Sequence, residues 1–502
     1  MDIFANLALG FGAVLEPSNL MFCFLGCLLG TAVGVLPGIG PMGTIAILLP
    51  VTFGFPPEAS MIMLAGIYYG AQYGGSTTAI LINLPGEATS AVTAIDGYQM
   101  APQGRAGTAL AIAALGSFFA GCFATLVIAL FAVPLTSLAL KFGPSDYFAL
   151  MVLGVVASIA LARGSVLKGL VMIFLGLLLG CVGTDVYTGS MRLTLGTLDL
   201  ADGIPIIAFG SGVYAIAEIL RSLEVEKEQE RDVLTTKVTG LMPSMADFKE
   251  SAGPIMRGTL LGSILGILPG GGAMLSAFTS YALEKKISRN PERFGHGAIA
   301  GVAGPESANN AGAQSSFIPM LTLGIPSNAI MALMIGALML QGVAPGPNLV
   351  NEQPILFWGV IASMWIGNLM LVILNLPLVG LWVRLLSVRN HMLFPAIIGF
   401  SAIGVYSVGN NPFDLVVMAV FGVVGYGLTK LDCEPAPLLL GFVLGPMLEE
   451  YLRRAMLLAD GNPLSFIQRP ITAGLLLVAT VTLIAVLFPA IRDSRREVFV
   501  DD

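Results

Sequence analysis

Two short strings concentrate the chemistry this sequence could do. Pro37, Gly38 and Gly40 end one glycine-spaced apolar run, and Pro269, Gly270 and Gly272 end another, each as Pro-Gly-x-Gly. A second apolar segment begins directly after each string, at Pro41 and at Ala273. Proline removes a backbone donor and glycine accepts dihedrals closed to other residues, so each helix is predicted to break there, at membrane depth. Pro41 suits the first position of the new half-helix, where its missing N–H costs nothing. The free N–H groups near Gly40 to Gly43 and Gly271 to Ala273 must then face a cavity, because lipid cannot satisfy them. With a helix dipole behind them, such groups attract carboxylates without a formal positive charge. Gly43 and Thr44 fall in that first turn and join the candidate substrate site. The competing use of such glycines is close helix packing through small-xxx-small spacing. That use is the expectation for Gly26, Gly30 and Gly34 and for Gly258, Gly262 and Gly266.

A second pair of breaks follows. Segment 72–87, QYGGSTTAILINLPGE, carries Gln72, Ser76, Thr77, Thr78, Asn83, Pro85 and Gly86. Segment 306–328, ESANNAGAQSSFIPMLTLGIPSN, carries Gln314, Ser315, Ser316, Pro326 and Ser327. Hydroxyls and amides in otherwise apolar stretches can hydrogen-bond a carboxylate, and their oxygens, with freed backbone carbonyls, can coordinate a sodium ion. Alternatively, Ser and Thr merely bond back to their own helix. Intramembrane acids are costly and often functional, so Glu306 is the candidate for cation or proton coupling. Asn309, Asn310 and Thr322 join it as oxygen ligands that could hold Na+. Glu87 and Asp96 are placed in loop-like backbone. All four breaks together are expected to line one central site.

The elements that must position these residues follow from the bulk of the chain. Of 502 residues, 56% are hydrophobic and 11% charged, with 61 Gly and 30 Pro. A soluble domain carries roughly 25% charge, so this is an all-α polytopic membrane protein, with about 11–14 membrane segments estimated from its apolar stretches. The longest polar interval is 221–253, a charged linker. On either side of it the chain repeats. Gly26, Gly30, Gly34 and Gly38 return as Gly258, Gly262, Gly266 and Gly270 at a constant offset of 232, and GVLPGIG returns as GILPGGG. Gly70-Ala71-Gln72 returns as Gly312-Ala313-Gln314. An ordered series of this kind marks a duplication.

Basic residues orient the halves. With the linker cytoplasmic, 19 of 24 Lys and Arg fall inside, leaving Lys141, Arg192, Arg453, Arg454 and Arg469 outside. The loop with Lys285, Lys286, Arg289 and Arg293 corresponds to an uncharged loop at 55–58, and such opposite signals predict inverted repeats with broken, re-entrant hairpins. The expected organisation is an N-terminal membrane repeat over 1–220, the cytoplasmic linker 221–253, an inverted repeat over 254–452, and an extra transmembrane helix and cytoplasmic tail over 453–502.

Other classes fare worse. The five cysteines form no CxxC pair, and two His at 296 and 391 argue against metal or imidazole chemistry. No GxxxxGK[ST] or HExxH occurs, so neither a nucleotide-driven pump nor an intramembrane metalloenzyme is expected, and no catalytic residue or cofactor is assigned. The N-terminus lacks the basic start of a cleavable signal peptide. A passive anion channel or a stand-alone ion-coupled symporter is the runner-up.

Together, the GVLPGIGPMGTIAILLPVTFG, GAQYGGSTTAILINLPGE, DGYQMAPQGRAG and PESANNAGAQSSFIPMLTLGIPSN runs resemble the large membrane subunit of tripartite tricarboxylate transporters, the TctA family. The resemblance covers about the whole chain. It implies a bacterial inner-membrane permease that works with a small TctB-like membrane subunit and a periplasmic TctC-like solute-binding protein. It further implies import of citrate-like di- or tricarboxylates with a cation, Na+ or else H+.

Overall fold

In the computed structural model, residues 3–36, 40–83, 86–161, 165–185, 187–225, 240–268, 272–385 and 390–487 are described. Helices carry nearly all of them. The exception is a minimal antiparallel ladder pairing Gly183 with Arg192 and Thr184 with Met191. Among the described residues, five helices are long and apolar enough to cross a bilayer: Pro17–Val35, Ala91–Ala139, Ile206–Glu224, Pro354–Asn375 and Pro412–Lys430. Leu130, Phe131, Phe174, Ile403, Val423 and Leu477 stand exposed on their helices, which is the pattern of a face that meets lipid. The chain is a multi-pass membrane protein.

The linker is shorter in described structure than in sequence. One helix runs to Val225 and the next starts at Met245, capped by Ser244, whose Oγ accepts from the Asp247 N–H at 3.2 Å. The position 452/453 falls inside the Pro435–Leu458 helix. All five cysteines are free, and Cys23 and Cys27 are buried against the backbone carbonyls of Ser363 and Gly367, as packing residues.

Glycine determines how the central helices meet. The Pro17–Val35 helix lies along Pro57–Ile82, and Met245–Leu265 lies along Ala300–Ser315. A Cβ on Gly26, Gly30 or Gly34 would overlap the carbonyl oxygens of Met63, Ile67 and Ala71. A Cβ on Gly258, Gly262 or Gly266 would overlap those of Gly304, Ala308 and Gly312. The two helix pairs thus repeat the same register, residue for residue, with backbone against backbone. Around them, Tyr68, Tyr69 and Phe317 form an aromatic cluster, with Phe317 centred 6.4 and 5.8 Å from the two tyrosines.

Asp96 corrects an expectation. It lies within the Ala91–Met100 helix rather than in loop-like backbone, and it is fully buried. Its Oδ1 accepts the backbone N–H groups of Gly295, Gly297 and Ala298 at 2.8–2.9 Å, and its Oδ2 accepts the Tyr281 hydroxyl at 3.0 Å. The three N–H donors belong to a loop distant in sequence, where Gly295 and Gly297 adopt positive φ, and Tyr281 lies on the Gly272–Ile287 helix before it. Sequence could not reveal this role, because a carboxylate stapling a loop leaves no local spacing signal. Asp96→Ala would orphan two buried N–H groups and a half-buried third, and its cost is expected on the order of 3–5 kcal/mol. Asp96→Asn keeps one acceptor oxygen and is expected to cost about half as much. Thermal melting of the detergent-purified variants measures both.

Candidate functional site

Both helices after the Pro-Gly-x-Gly strings begin on a left-handed glycine. Gly40 has φ 63° and opens Gly40–Thr52; Gly272 has φ 52° and opens Gly272–Ile287. The first turns match as well. Thr44 Oγ1 donates to Gly40 O at 2.7 Å, and Ser276 Oγ donates to Gly272 O at 2.8 Å. Gly43 is buried in its first turn. Pro37, Gly38, Pro85, Pro269 and Gly270 lie outside the described residues.

The second breaks also correspond. The Pro57–Ile82 helix ends on Asn83 at φ 56°, and Phe317–Leu323 ends on Gly324 at φ 71°. Within the first half, Gly86 folds back so that its N–H reaches Gly75 O at 3.4 Å. Within the second, buried Pro326 leads to Ser327, whose Oγ donates to Ser316 O at 3.3 Å. Asn328 then caps Ala329–Leu340 by accepting the Met331 N–H at 3.0 Å, and its Nδ2 donates to Ser316 Oγ at 3.1 Å. Each break adjoins the helix start of its own half. A Cβ on Gly40 would stand 4.0 Å from Gly86 O, and one on Gly272 would stand 3.1 Å from Asn328 Nδ2.

A buried polar network joins the halves between these breaks. Tyr68 is within hydrogen-bonding reach of Gln72 on its own helix and of Ser316 and Asn328 on the other half. Thr89 Oγ1 reaches Gln72 Oε1 at 3.2 Å and also contacts Glu87 Oε1. Asn309 Nδ2 lies 3.4 Å from Glu87 Oε1 and 3.2 Å from Glu306 Oε1. Thr93 Oγ1 donates to Glu306 Oε2 at 2.9 Å, and Ser76 is also within reach of Glu306. Glu306 sits inside the Ala300–Ser315 helix, 1% exposed.

The hydroxyls are oriented in a way that bears on their chemistry. Ser76 donates to Gln72 O, Thr77 to Tyr73 O, Thr78 to Gly75 O, Thr322 to Ile318 O and Ser316 to Gly312 O. Ser315 donates across to Gly262 O at 3.2 Å. A hydroxyl has one proton, so each of these presents only lone pairs to anything else. Such oxygens suit a cation better than a carboxylate; donors for an anion are left to backbone N–H groups and amide nitrogens.

Three expected site residues turn elsewhere. Gln314 Oε1 accepts from Thr125 at 3.3 Å, on the long Ala106–Ala139 helix. Asn310 Nδ2 donates to Ser117 Oγ at 2.7 Å and to Glu306 O at 3.1 Å. Thr322 lies on the next helix, bonded to it, and among the described residues no hydrogen bond ties it to Asn309 or Asn310. Conversely, the network includes Tyr68, Glu87, Thr89, Thr93 and Asn328, which spacing alone did not mark. Glu87 does sit in extended backbone, as expected, but its side chain is buried; it caps the short Ala88–Ser90 turn with Ser90 in reciprocal contact. An acid directly after Leu-Pro-Gly at a break was the available signal.

Charged pairs segregate into two groups. Arg105 pairs with Asp247, Arg257 with Glu284, Arg293 with Glu250, Lys430 with Glu224 and Lys168 with Asp432. In the other group Arg192 and Arg453 share Glu449 and Asp185, Arg454 pairs with Glu450, and Arg469 with Asp146. The Tyr187 N–H, 3.0 Å from Oδ1, and then the Arg453 guanidinium hold the Asp185 carboxyl below the usual carboxylate range. A lowered folded-state value means stabilisation that is present above the unfolded value, near pH 4, and lost as pH falls through the folded one. The difference in melting temperature between wild type and Arg453→Gln is therefore expected to be constant near neutrality and to shrink at acid pH.

An all-α membrane protein with paired helix breaks around a buried polar network has the construction of a transporter. The TctA model of the tripartite tricarboxylate transporter family matches residues 20–440, and the chain belongs to that family. It is 61% identical, over all 502 residues and the whole of the relative, to an "Uncharacterized 52.8 kDa protein in TAR-I ttuC' 3'region" of Agrobacterium vitis. An "Uncharacterized protein in TAR-II ttuC' 3'region" of the same organism is 61% identical over 241 residues, 48% of this chain and all of that one. No solved structure matches.

Proposed function

We propose that the chain is the large permease subunit of a binding-protein-dependent secondary importer of citrate-like di- or tricarboxylates, driven by a cation gradient, Na+ in first place. Family membership supports the tricarboxylate class. The observation that carries the mechanism is the pair of helix starts at Gly40 and Gly272, each beside the second break of its half and both next to one buried network. Substrate carboxylates meet the N–H groups of those half-helices, and the cation is held by oxygens around Glu306 and Asn309. Two inverted repeats then exchange access to a fixed site.

The repeated register of the two glycine-lined helix pairs supports the duplication. Sidedness is supported by the ion pairs: Arg105 and Lys430, assigned to the inside, pair with Asp247 and Glu224 of the charged interval, and Arg192 and Arg453, assigned to the outside, share Glu449. The Arg105 and Lys430 pairs then mark the cytoplasmic face of a bacterial inner membrane. The Arg192–Glu449–Arg453 group marks the periplasmic face, where a TctC-like binding protein delivers substrate, and a TctB-like small subunit completes the complex. The test is uptake in proteoliposomes with candidate di- and tricarboxylates, with and without a sodium gradient and the purified binding protein. Accumulation against the substrate gradient is expected. Flux that only dissipates the gradient would identify a channel.

A further inference from the structure

We infer that Glu87 and Glu306, one from each half of the chain, form a two-carboxylate site for a single monovalent cation, completed by the side-chain amide of Asn309. The two carboxylates come from segments 219 positions apart by sequence number yet contact one nitrogen: Asn309 Nδ2 lies 3.4 Å from Glu87 Oε1 and 3.2 Å from Glu306 Oε1. Both acids are buried, at 8% and 1% exposure, and no lysine or arginine pairs with either among the described residues. Two anions so placed would repel each other and lack the hydration that would stabilise them, and a positive charge between them, brought by a proton or a metal cation, offsets both costs.

A second observation points to a ligand. Asn309 is 1% exposed and its Oδ1 has no hydrogen-bond partner, although its nitrogen is engaged with both acids. Rotation of that amide about Cβ–Cγ exchanges the two ends. The nitrogen bridges the carboxylates without a cation, and the carbonyl oxygen faces them with one. Around the same pair stand the hydroxyl oxygens of Thr89, Thr93 and Ser76, each able to turn a lone pair to a cation. Carboxylate, amide and hydroxyl oxygens are the ligands of a hard cation. Among the described residues no group of three His, Cys, Asp or Glu forms, so the ligand set here is two carboxylates and neutral oxygens. Two carboxylates and neutral oxygens fit one sodium ion. Because the acids lie on different halves, loading the site ties those halves together, which gives the cation a hold on the conformational equilibrium.

The inference rests on the permease reading for its role but not for its binding. Equilibrium binding of radioactive sodium to the purified full-length protein, without substrate, tests it directly. Wild type is expected to bind, and Glu87→Gln and Glu306→Gln are each expected to weaken binding at least tenfold. Asn309→Asp, which keeps oxygen ligands but cannot donate a bridge, is expected to retain sodium binding and shift its pH dependence. Glu450→Gln, at the surface pair with Arg454, is the control for charge alone. Unchanged binding in both Gln variants would overturn the site, as would wild-type protein that takes up no sodium at any pH. Sodium binding without carboxylate uptake by wild type would instead keep the site and sink the permease.

Discussion

Gly30→Leu and Gly262→Leu are expected to prevent the protein from folding, and to do so about equally. At each position a new Cβ would overlap a backbone carbonyl oxygen of the facing helix, Ile67 O or Ala308 O, with the facing Cα at 2.8 or 2.9 Å. A side-chain neighbour could rotate away, but a helical backbone cannot, so the two helices must separate along the whole contact. Overpacking an ordinary core site costs about 1–3 kcal/mol. Here the loss spreads over three glycine contacts per helix pair, and on the order of 5 kcal/mol or more is expected, which is beyond what most single substitutions do. The readout is the monodisperse peak of a fluorescent fusion on size-exclusion chromatography after detergent extraction. Gly12→Leu is the control, because nothing lies within 4 Å of a Cβ there. A monodisperse Gly262→Leu protein would mean that the second helix pair does not pack as the first one does.

That pairing was legible in sequence because backbone-to-backbone contact admits only glycine, and glycine every fourth residue leaves a countable pattern. The helix starts were legible for a similar reason: positive φ at Gly40 and Gly272 excludes most side chains. What sequence could not give was side-chain direction. The Gly-Ala-Gln strings pair Gln72 with Gln314, but the glycine contacts set Ala71 against Gly34 and Gly312 against Gly266, so Gln314 stands level with Tyr73; Gln72 joins the network through Thr89 and Gln314 turns to Thr125. That one-residue offset turns Gln314 toward the Ala106–Ala139 helix, which packs closely on Ala300–Ser315. Asp96 went astray, and the burial of the Glu87 side chain went unseen, because Tyr281 and Asn309, which these carboxylates meet, lie 185 and 222 positions away. The glycine contacts recur in both helix pairs, whereas the polar partners differ between them. The shape of the site was therefore more visible than its lining.

Substitution of the two helix-start glycines should reduce uptake unequally, and the inequality tests the site rather than stability alone. Any L-residue at positive φ pays roughly 1–2 kcal/mol, so both Ala variants carry that strain. At Gly40 the added methyl stands 4.0 Å from Gly86 O, ordinary contact, and Gly40→Ala is expected to lower carboxylate uptake only a few-fold. At Gly272 the methyl stands 3.1 Å from Asn328 Nδ2, so Asn328 must give. Its amide caps Ala329–Leu340 and holds Ser316 Oγ, so the displacement reaches the second break and, through Ser316, Tyr68 of the other half. Gly272→Ala is expected to lower uptake at least tenfold, about 1.4 kcal/mol in barrier terms, and Gly272→Val more steeply. Each variant is compared at equal inserted amount in proteoliposomes, with sodium binding measured on the same sample. Loss of uptake with sodium binding intact would place the defect at the carboxylate end of the site. Equal, full uptake by all three variants would remove both helix starts from the transport path, because a group that anchors substrate cannot be moved without cost.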